Sequence, residues 1–300
     1  MKNRIIKFRA AVSLYSEVLF FGGMESHMTL WEAVLCGILQ GLTEFLPVSS
    51  SGHLALAHAF FGMENAESYL SFDILLHLAT LIVVFTVYRK DIFALIPAFF
   101  TLTGKIFRGN FRFSSYNEME RMVLLLILAT LPLVAAFFVK DTLEAIAGYT
   151  RIVGVILFLN GILLLCADRF AGKEKKAQLS PRGALGVGIF QLFAVIPGLS
   201  RSGSTISGGM LFGLSRKNAV RFSFLMSVPA ILGANIMNIP EAFSARIEAQ
   251  TLGYYLIGMV AAAVSGFFAM RLLAYISAKE KFGFFAYYCM IIGVLAVVFG

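Results

Sequence analysis

Long charge-free runs decide most about what this chain can fold into. Met122–Val139 and Ile152–Ala167 contain no Asp, Glu, Lys or Arg. Each approaches the ~20 apolar residues that a helix needs to cross the hydrocarbon core of a bilayer. Charged residues make up only 14% of the 300-residue sequence, against about 25% in a soluble domain. The chain therefore reads as an all-α polytopic membrane protein. Apolar length and charge patterning predict six full spans, at about 70–88, 121–139, 152–168, 220–238, 252–271 and 283–299. The run Ile92–Thr103 is too short to cross and is expected at or near the cytoplasmic face.

The net charge of +8 suggests nucleic acid until its placement is considered. Basic residues cluster in short loops: Arg89 and Lys90; Lys105, Arg108, Arg112 and Arg121; Arg169 to Arg182; Arg216, Lys217 and Arg221; Arg271 to Lys281. The loops between them are acidic or balanced, as around Glu64, Asp73, Asp141, Glu144, Glu241 and Glu248. Cytoplasmic loops carry the excess Lys and Arg of membrane proteins, so the charge reports topology and calls for no nucleic-acid partner. Cys36, Cys166 and Cys289 each lie in an apolar segment, and an odd count without a CxxC pair argues against a disulfide framework or a zinc site.

Two segments, 30–62 and 184–215, do not fit as spans. Each is apolar, interrupted by Pro, Gly and Ser, and carries the same charge sign at both ends. Irregular backbone at membrane depth is tolerated only where protein or a water-filled cavity covers it. Both are expected to be re-entrant helical hairpins, the first entering from the acidic, outer side and the second from the basic, inner side. Gln40, Ser49, Ser51 and Gly52 match Gln191, Ser200, Ser202 and Gly203 at an offset of 151. Half the chain length is the offset expected of an inverted-topology repeat, which places interrupted helices at corresponding positions. The expected organisation is a single domain over 28–300, with pseudo-repeats at about 28–168 and 184–300. Residues 1–27 form an N-terminal extension that reads as an amphipathic anchor, an uncleaved signal-like segment, or sequence upstream of a native start at Met28. The last reading is preferred, because "MTLWEAVLCGILQGLTEF" opens the first hairpin.

The hairpins concentrate the polar groups. Gln40 and Glu44 share a helical face; Pro47 then stops the helix, and Ser49, Ser50, Ser51, Gly52 and His53 form a polar turn. The second hairpin supplies Gly198, Ser200, Arg201, Ser202, Gly203, Ser204 and Thr205. An ionisable residue at membrane depth is a functional hypothesis by default. Serines alone would be ordinary helix-packing residues. Together with Glu, His and Arg, the hydroxyls, helix-start N–H groups and forked guanidinium suit phosphate oxygens. Arg201 can neutralise phosphate, and Glu44 can act as base or hold a divalent cation. Ser50 assisted by His53, His53 itself, or water can be the nucleophile. His58 and His77 lie on apolar helices and read as packing or polar bridging.

"QGLTEFLPVSSSGH" at 40–53 and "PGLSRSGSTISGG" at 197–209 resemble the two signatures of the undecaprenyl-pyrophosphate phosphatase family, also called bacitracin-resistance proteins. The likeness covers nearly all of 28–300. It implies a bacterial cytoplasmic (inner) membrane hydrolase that converts undecaprenyl diphosphate to the monophosphate for cell-wall (peptidoglycan) synthesis, with a catalytic cavity open to the periplasm or exterior. By matching position it assigns catalytic or phosphate-binding roles to Glu44, Ser50, His53, Ser200, Arg201 and Thr205, within the polar set that includes Ser49, Ser51, Ser202, Gly198 and Gly203. It also implies a divalent cation, Mg²⁺ or Ca²⁺, near Glu44 and Gln40, although many relatives carry Glu where this chain has Gln40. A type-2 phosphatidic acid phosphatase would need a histidine after the Ser-Arg pair, and the last histidine is His77. A polyprenyl-phosphate flippase, or a protein with both activities, is the alternative that interrupted helices and a repeat suggest. The oligomeric state is left open, a homodimer included.

Overall fold

A computed structural model describes residues 28–61, 66–110, 112–139, 143, 146–170, 178–244, 249–278 and 282–300. The expected extension at 1–27 lies outside the described residues. These are helical, with no strand among them. In chain order the helices are α1 (Leu30–Phe45), α2 (Ser50–Phe61), α3 (Ala66–Val87), α4 (Arg89–Phe107), α5 (Glu118–Thr130), α6 (Thr150–Phe170), α7 (Pro181–Phe193), α8 (Arg201–Leu211), α9 (Arg216–Ser244), α10 (Ala249–Ala278) and α11 (Gly283–Phe299). Five helices are long and apolar enough to cross a membrane, at Leu70–Val87, Glu118–Ala136, Thr150–Phe170, Arg216–Ile236 and Gln250–Ala278, with the shorter Gly283–Phe299 as a sixth apolar helix. Their positions overlap those expected for the spans. The protein is a multi-pass membrane protein.

Local chemistry sets the helix starts. Thr29 caps α1 by accepting from Glu32 N, and Glu32 returns a bond to Thr29 N at 2.7 Å. Asn117 and Glu120 make the same reciprocal box at α5. Such boxes satisfy first-turn N–H groups that have no partner within the helix. Ser180 caps α7, with Pro181 in the first turn, where its missing N–H is harmless. Past Thr130, Pro132 lies in a tighter 3₁₀ segment, Leu131–Val139, because proline cannot donate to the α-helical ladder.

The run Ile92–Thr103 belongs to a longer helix than its apolar length suggests, since α4 adds Arg89, Lys90 and Asp91 at its start and Lys105 near its end. Three ion pairs tie down the charged ends of this part of the protein. Lys105 reaches Glu120 at 2.7 Å, Arg216 reaches Asp168 at 2.7 Å and Arg221 reaches Asp91 at 2.6 Å. All six residues come from segments that the charge pattern places on the cytoplasmic side.

Each expected hairpin is a helix, a turn and a second helix: α1 with α2, and α7 with α8. At 1.5 Å per residue, all four fall short of the ~30 Å of a hydrocarbon core; the longest, the 16-residue α1, spans about 24 Å. Both hairpins and the long helices pack in pairs. Helix α1 lies along α10, α7 lies along α5 and the 3₁₀ segment, α3 meets α9, and α6 meets α11. Small residues make the contacts close. A Cβ at Gly37 would fall 2.2 Å from Gly258 O, and one at Gly188, 151 residues later, 2.4 Å from Ala129 O. Gly154 and Gly293 likewise face each other between α6 and α11. Lipid tails give apolar side chains no reason to prefer each other, so membrane helices gain most from such backbone approach.

Gly37→Leu is therefore expected to lower thermal stability in detergent. Overpacking of this kind costs about 1–3 kcal/mol. The same change at Gly233, where an added Cβ meets nothing within 4 Å, should leave the melting temperature nearly unaltered.

Candidate active site

The two interrupted segments bring their turns together. A Cβ added at Gly52 would lie 3.1 Å from Gly198 Cα, and one at Gly198, whose φ is 95°, would lie 2.7 Å from Val153 O. Only glycine tolerates both that φ and that approach. Ser49 is held at φ 73°, a left-handed conformation that costs a non-glycine residue about 1–3 kcal/mol. Its Oγ accepts from Gly52 N at 3.2 Å and so caps α2. Ser200 Oγ accepts from Gly203 N at 3.0 Å and caps α8. Two helix N-termini thus open beside one turn-to-turn contact. Helix starts favour negative charge through their dipoles and spare N–H groups.

At the centre is Glu44, buried in the last turn of α1. Its Oε1 accepts from Arg201 Nη2 at 2.6 Å, across 157 residues of sequence. Its Oε2 accepts from Ser50 Oγ at 2.7 Å and Gln40 Nε2 at 3.2 Å. His77 Nε2 stands 3.7 Å from the same oxygen. An unpaired carboxylate here would carry a desolvation cost of several kcal/mol, which an ion pair with satisfied lone pairs offsets. The satisfaction is one-sided. Arg201 Nη1 and Gln40 Oε1 are buried without a hydrogen-bond partner, leaving one donor and one acceptor beside the carboxylate.

His53 is buried on α2 one turn beyond Ser50. Its Nδ1 lies 2.8 Å from Ser49 O and its Nε2 2.9 Å from Tyr288 Oη, with the two rings stacked. The expected assistance of Ser50 by His53 has no direct bond behind it, because Ser50 donates to Glu44 and both His53 nitrogens face other partners. Ser49 Oγ and Ser51 Oγ are 3.4 Å apart, and Ser200 Oγ and Ser202 Oγ 3.1 Å apart. Ser202 Oγ also donates to Leu46 O at 3.2 Å, joining the second turn to the first. Thr205 is placed differently: its hydroxyl bonds Arg201 O at 2.8 Å and meets Ser223 Oγ at 2.6 Å, which braces α8 against α9.

Three residues of this arrangement were missed as site residues. Asn160 on α6 donates through Nδ2 to Pro47 O at 3.1 Å and accepts from Ser200 N at 3.1 Å, so one side chain holds both turns. An amide in the middle of the run Ile152–Ala167 was a legible signal. His77 reads from the sequence as packing or polar bridging, and only the approach of α3 to α1 brings it to Glu44. Tyr288, one of ten tyrosines, carries no local signal at all.

Asn160→Leu removes a partner from each turn: Ser200 N is left unpaired, at about 1–3 kcal/mol, and Pro47 O keeps only the weak Cys289 thiol donor at 3.7 Å. The expected outcome is a clear drop in melting temperature in detergent, with Asn160→Asp, which retains the acceptor for Ser200 N, less affected.

The sequence that builds this site resembles those of known proteins. Residues 33–295 match the family model described as bacitracin resistance protein BacA. The chain is similar to an undecaprenyl-diphosphatase of Alkaliphilus metalliredigens, 40% identical over 279 residues that cover 91% of this chain and 99% of that protein. It is also similar to undecaprenyl-diphosphatases of Methanobrevibacter smithii (38% over 272 residues; 89% and 96% covered) and Bacteroides fragilis (39% over 278 residues; 90% and 98% covered).

Proposed function

The chain belongs to the bacitracin resistance protein BacA family, and from that membership and the joined turns we propose that it is an undecaprenyl-diphosphate phosphatase. It hydrolyses undecaprenyl diphosphate to undecaprenyl phosphate and inorganic phosphate, returning the lipid carrier to cell-wall synthesis and conferring bacitracin resistance. The observation that carries the reading is Arg201. One arm of its guanidinium is spent on Glu44, and Nη1 is buried without a partner at the meeting of two helix N-termini. A terminal phosphate oxygen is the acceptor that such a donor lacks.

The chemistry follows from the distances. The terminal phosphate sits against Arg201 Nη1 and the opening turns of α2 and α8. Glu44 Oε2, 2.7 Å from Ser50 Oγ, takes the serine proton as Oγ attacks the terminal phosphorus. The bond from phosphorus to the bridging oxygen breaks, and undecaprenyl phosphate departs with that oxygen's electrons. Glu44 passes that proton to the departing lipid phosphate. Again a carboxylate, it deprotonates a water whose oxygen displaces the phosphoryl group from Ser50 as inorganic phosphate, the proton returning to Ser50 Oγ as its bond to phosphorus breaks. Arg201 holds the charge of the transferring group throughout, the role of preorganised electrostatics in phosphoryl transfer. His53, fixed by Ser49 O and Tyr288, orients the α2 arm beside the leaving lipid phosphate.

A divalent cation, Mg²⁺ or Ca²⁺, fits the oxygen donors here. Gln40 Oε1 is a buried acceptor with no partner, next to Glu44, and hard cations take oxygen ligands with substrate phosphates completing the shell. Among the described residues no group of three His, Cys, Asp or Glu gathers for a metal, so Gln40 and Glu44 would hold it together with the diphosphate. Such a cation would neutralise charge on the phosphates. The reading places the protein in the bacterial cytoplasmic (inner) membrane, with the cavity open to the periplasm or exterior, the side from which the charge pattern brings in the first hairpin.

Phosphate release from undecaprenyl diphosphate by protein in detergent tests this, and separates hydrolysis from transport because no second compartment exists. Arg201→Ala is expected to lower turnover by about 10²–10³-fold, and Glu44→Ala or Ser50→Ala by about 10²–10⁴-fold. Full activity in any of these folded variants removes that residue from the chemistry. A trapped phosphoenzyme should carry its phosphate on Ser50; recovery on His53, or no adduct at all, overturns the serine step.

A further inference from the structure

Helix α4, far from the phosphate site, turns three different faces to its surroundings. Ala98 and Leu102 are buried, with Leu95 and Ile106 beside them, against Val123 of α5 and Tyr116. Phe93, Ile96, Phe100 and Phe107 are between 49% and 91% exposed. At about 100° per residue they fall within about 60° of one another, on the side away from α5. Lys90, Thr101 and Arg108 are exposed too, and lie about 90–110° round from the centre of that apolar stripe. Lys90 and Arg108 are separated by about five turns and so project the same way.

The ends of α4 fix its depth. Asp91 in its first turn pairs with Arg221 of α9 at 2.6 Å, and Lys105 in its last turn pairs with Glu120 of α5 at 2.7 Å. Both partners stand within about two turns of a helix start on the basic side. The helix between Asp91 and Lys105, about 21 Å long, therefore runs along that edge of the membrane, not across it. From there the apolar stripe meets acyl chains and the basic flank meets the headgroup layer, as in an interfacial amphipathic helix. We propose that α4 is a binding surface for anionic phospholipid of the cytoplasmic leaflet. Lys90 takes the lipid phosphate at one end, and Arg108 with the exposed Arg112 takes it at the other. Among the described residues these three make no ion pair, whereas Lys105 and Arg221 are spent on carboxylates. The charge left over complements an anionic headgroup. A second copy of the chain fits poorly, because pairing two such stripes about a two-fold axis sets their basic flanks beside each other. The surface is separate from the phosphate site and stands whatever reaction occurs there.

The test mixes the full chain in detergent with equal amounts of phosphatidylglycerol and phosphatidylcholine of the same acyl chains. Native mass spectrometry then gives the ratio of bound phosphatidylglycerol to bound phosphatidylcholine. Wild type is expected to favour phosphatidylglycerol, and the combined Lys90→Gln, Arg108→Gln and Arg112→Gln variant to bring the ratio down about tenfold. Arg169→Gln, Arg182→Gln and Lys217→Gln together remove the same charge from exposed positions of α6, α7 and α9, and should leave most of the preference in place. Equal loss in both triple variants, or no preference in wild type, overturns the surface. A wild-type dimer that becomes a monomer in Phe93→Ser/Phe100→Ser gives the stripe to a second copy and overturns it as well. If the α4 triple variant fails to fold, phosphatidylglycerol with a photoactivatable headgroup decides the point in wild type. Label on residues 89–108 or on Arg112 supports the surface, and label confined elsewhere overturns it.

Discussion

The Glu44–Arg201 pair is the interaction on which the rest of the site depends. A carboxylate and a guanidinium buried in an apolar protein are each costly alone, and at 2.6 Å each removes most of the other's penalty. Their partnership fixes the relative position of two segments 157 residues apart. Once the two residues lie side by side, Ser50 has an acceptor for its proton and Arg201 has a free arm turned away from that acceptor. Much of the nearby polar structure maintains this register: Asn160 between Pro47 O and Ser200 N, Ser202 on Leu46 O, and the glycine-on-glycine contact of the turns. Breaking the pair by removing one partner would leave the other as an uncompensated charge, so stability and chemistry are coupled here.

A polar site can exist at this depth because short helices carry it and long ones shield it. Helices α1, α2, α7 and α8 end or begin at the turns, and their terminal N–H groups supply polarity that an unbroken span would have consumed internally. Helix α10 packs on α1 and α5 on α7 through glycines that admit no side chain, and α6 meets α11 in the same way. At the basic end, three ion pairs hold α4, α5, α6 and α9 to one another, so the charges that set orientation also tie helix ends together.

Much of this was legible in the sequence. The spans follow from hydropathy because a bilayer leaves the backbone few alternatives, and the interruptions at Pro47 and Pro197 mark where α1 ends and α8 approaches. Glu44, Ser50, His53 and Arg201 stand out because polar groups are rare in such a chain. What could not be read was which of them touch. Ser50 and His53 are one helical turn apart and invited pairing, yet Ser50 turns to Glu44 and His53 to Tyr288. Thr205, inside a signature of hydroxyls, faces Ser223. His77 reads as packing or polar bridging without naming its partner, and α3 carries it to 3.7 Å from Glu44.

The sequence by itself determined an all-helical membrane protein, its basic face, its two broken segments and the set of polar residues concentrated in them. Those properties depend on composition and spacing along the chain, which bilayer energetics translate directly into structure. Only the tertiary structure decided the partners. Whether Glu44 meets Arg201 and which nitrogen of Arg201 is left unpaired depend on helices crossing at small residues far apart in sequence. A one-dimensional pattern states which groups need a partner; the packing of distant helices selects it.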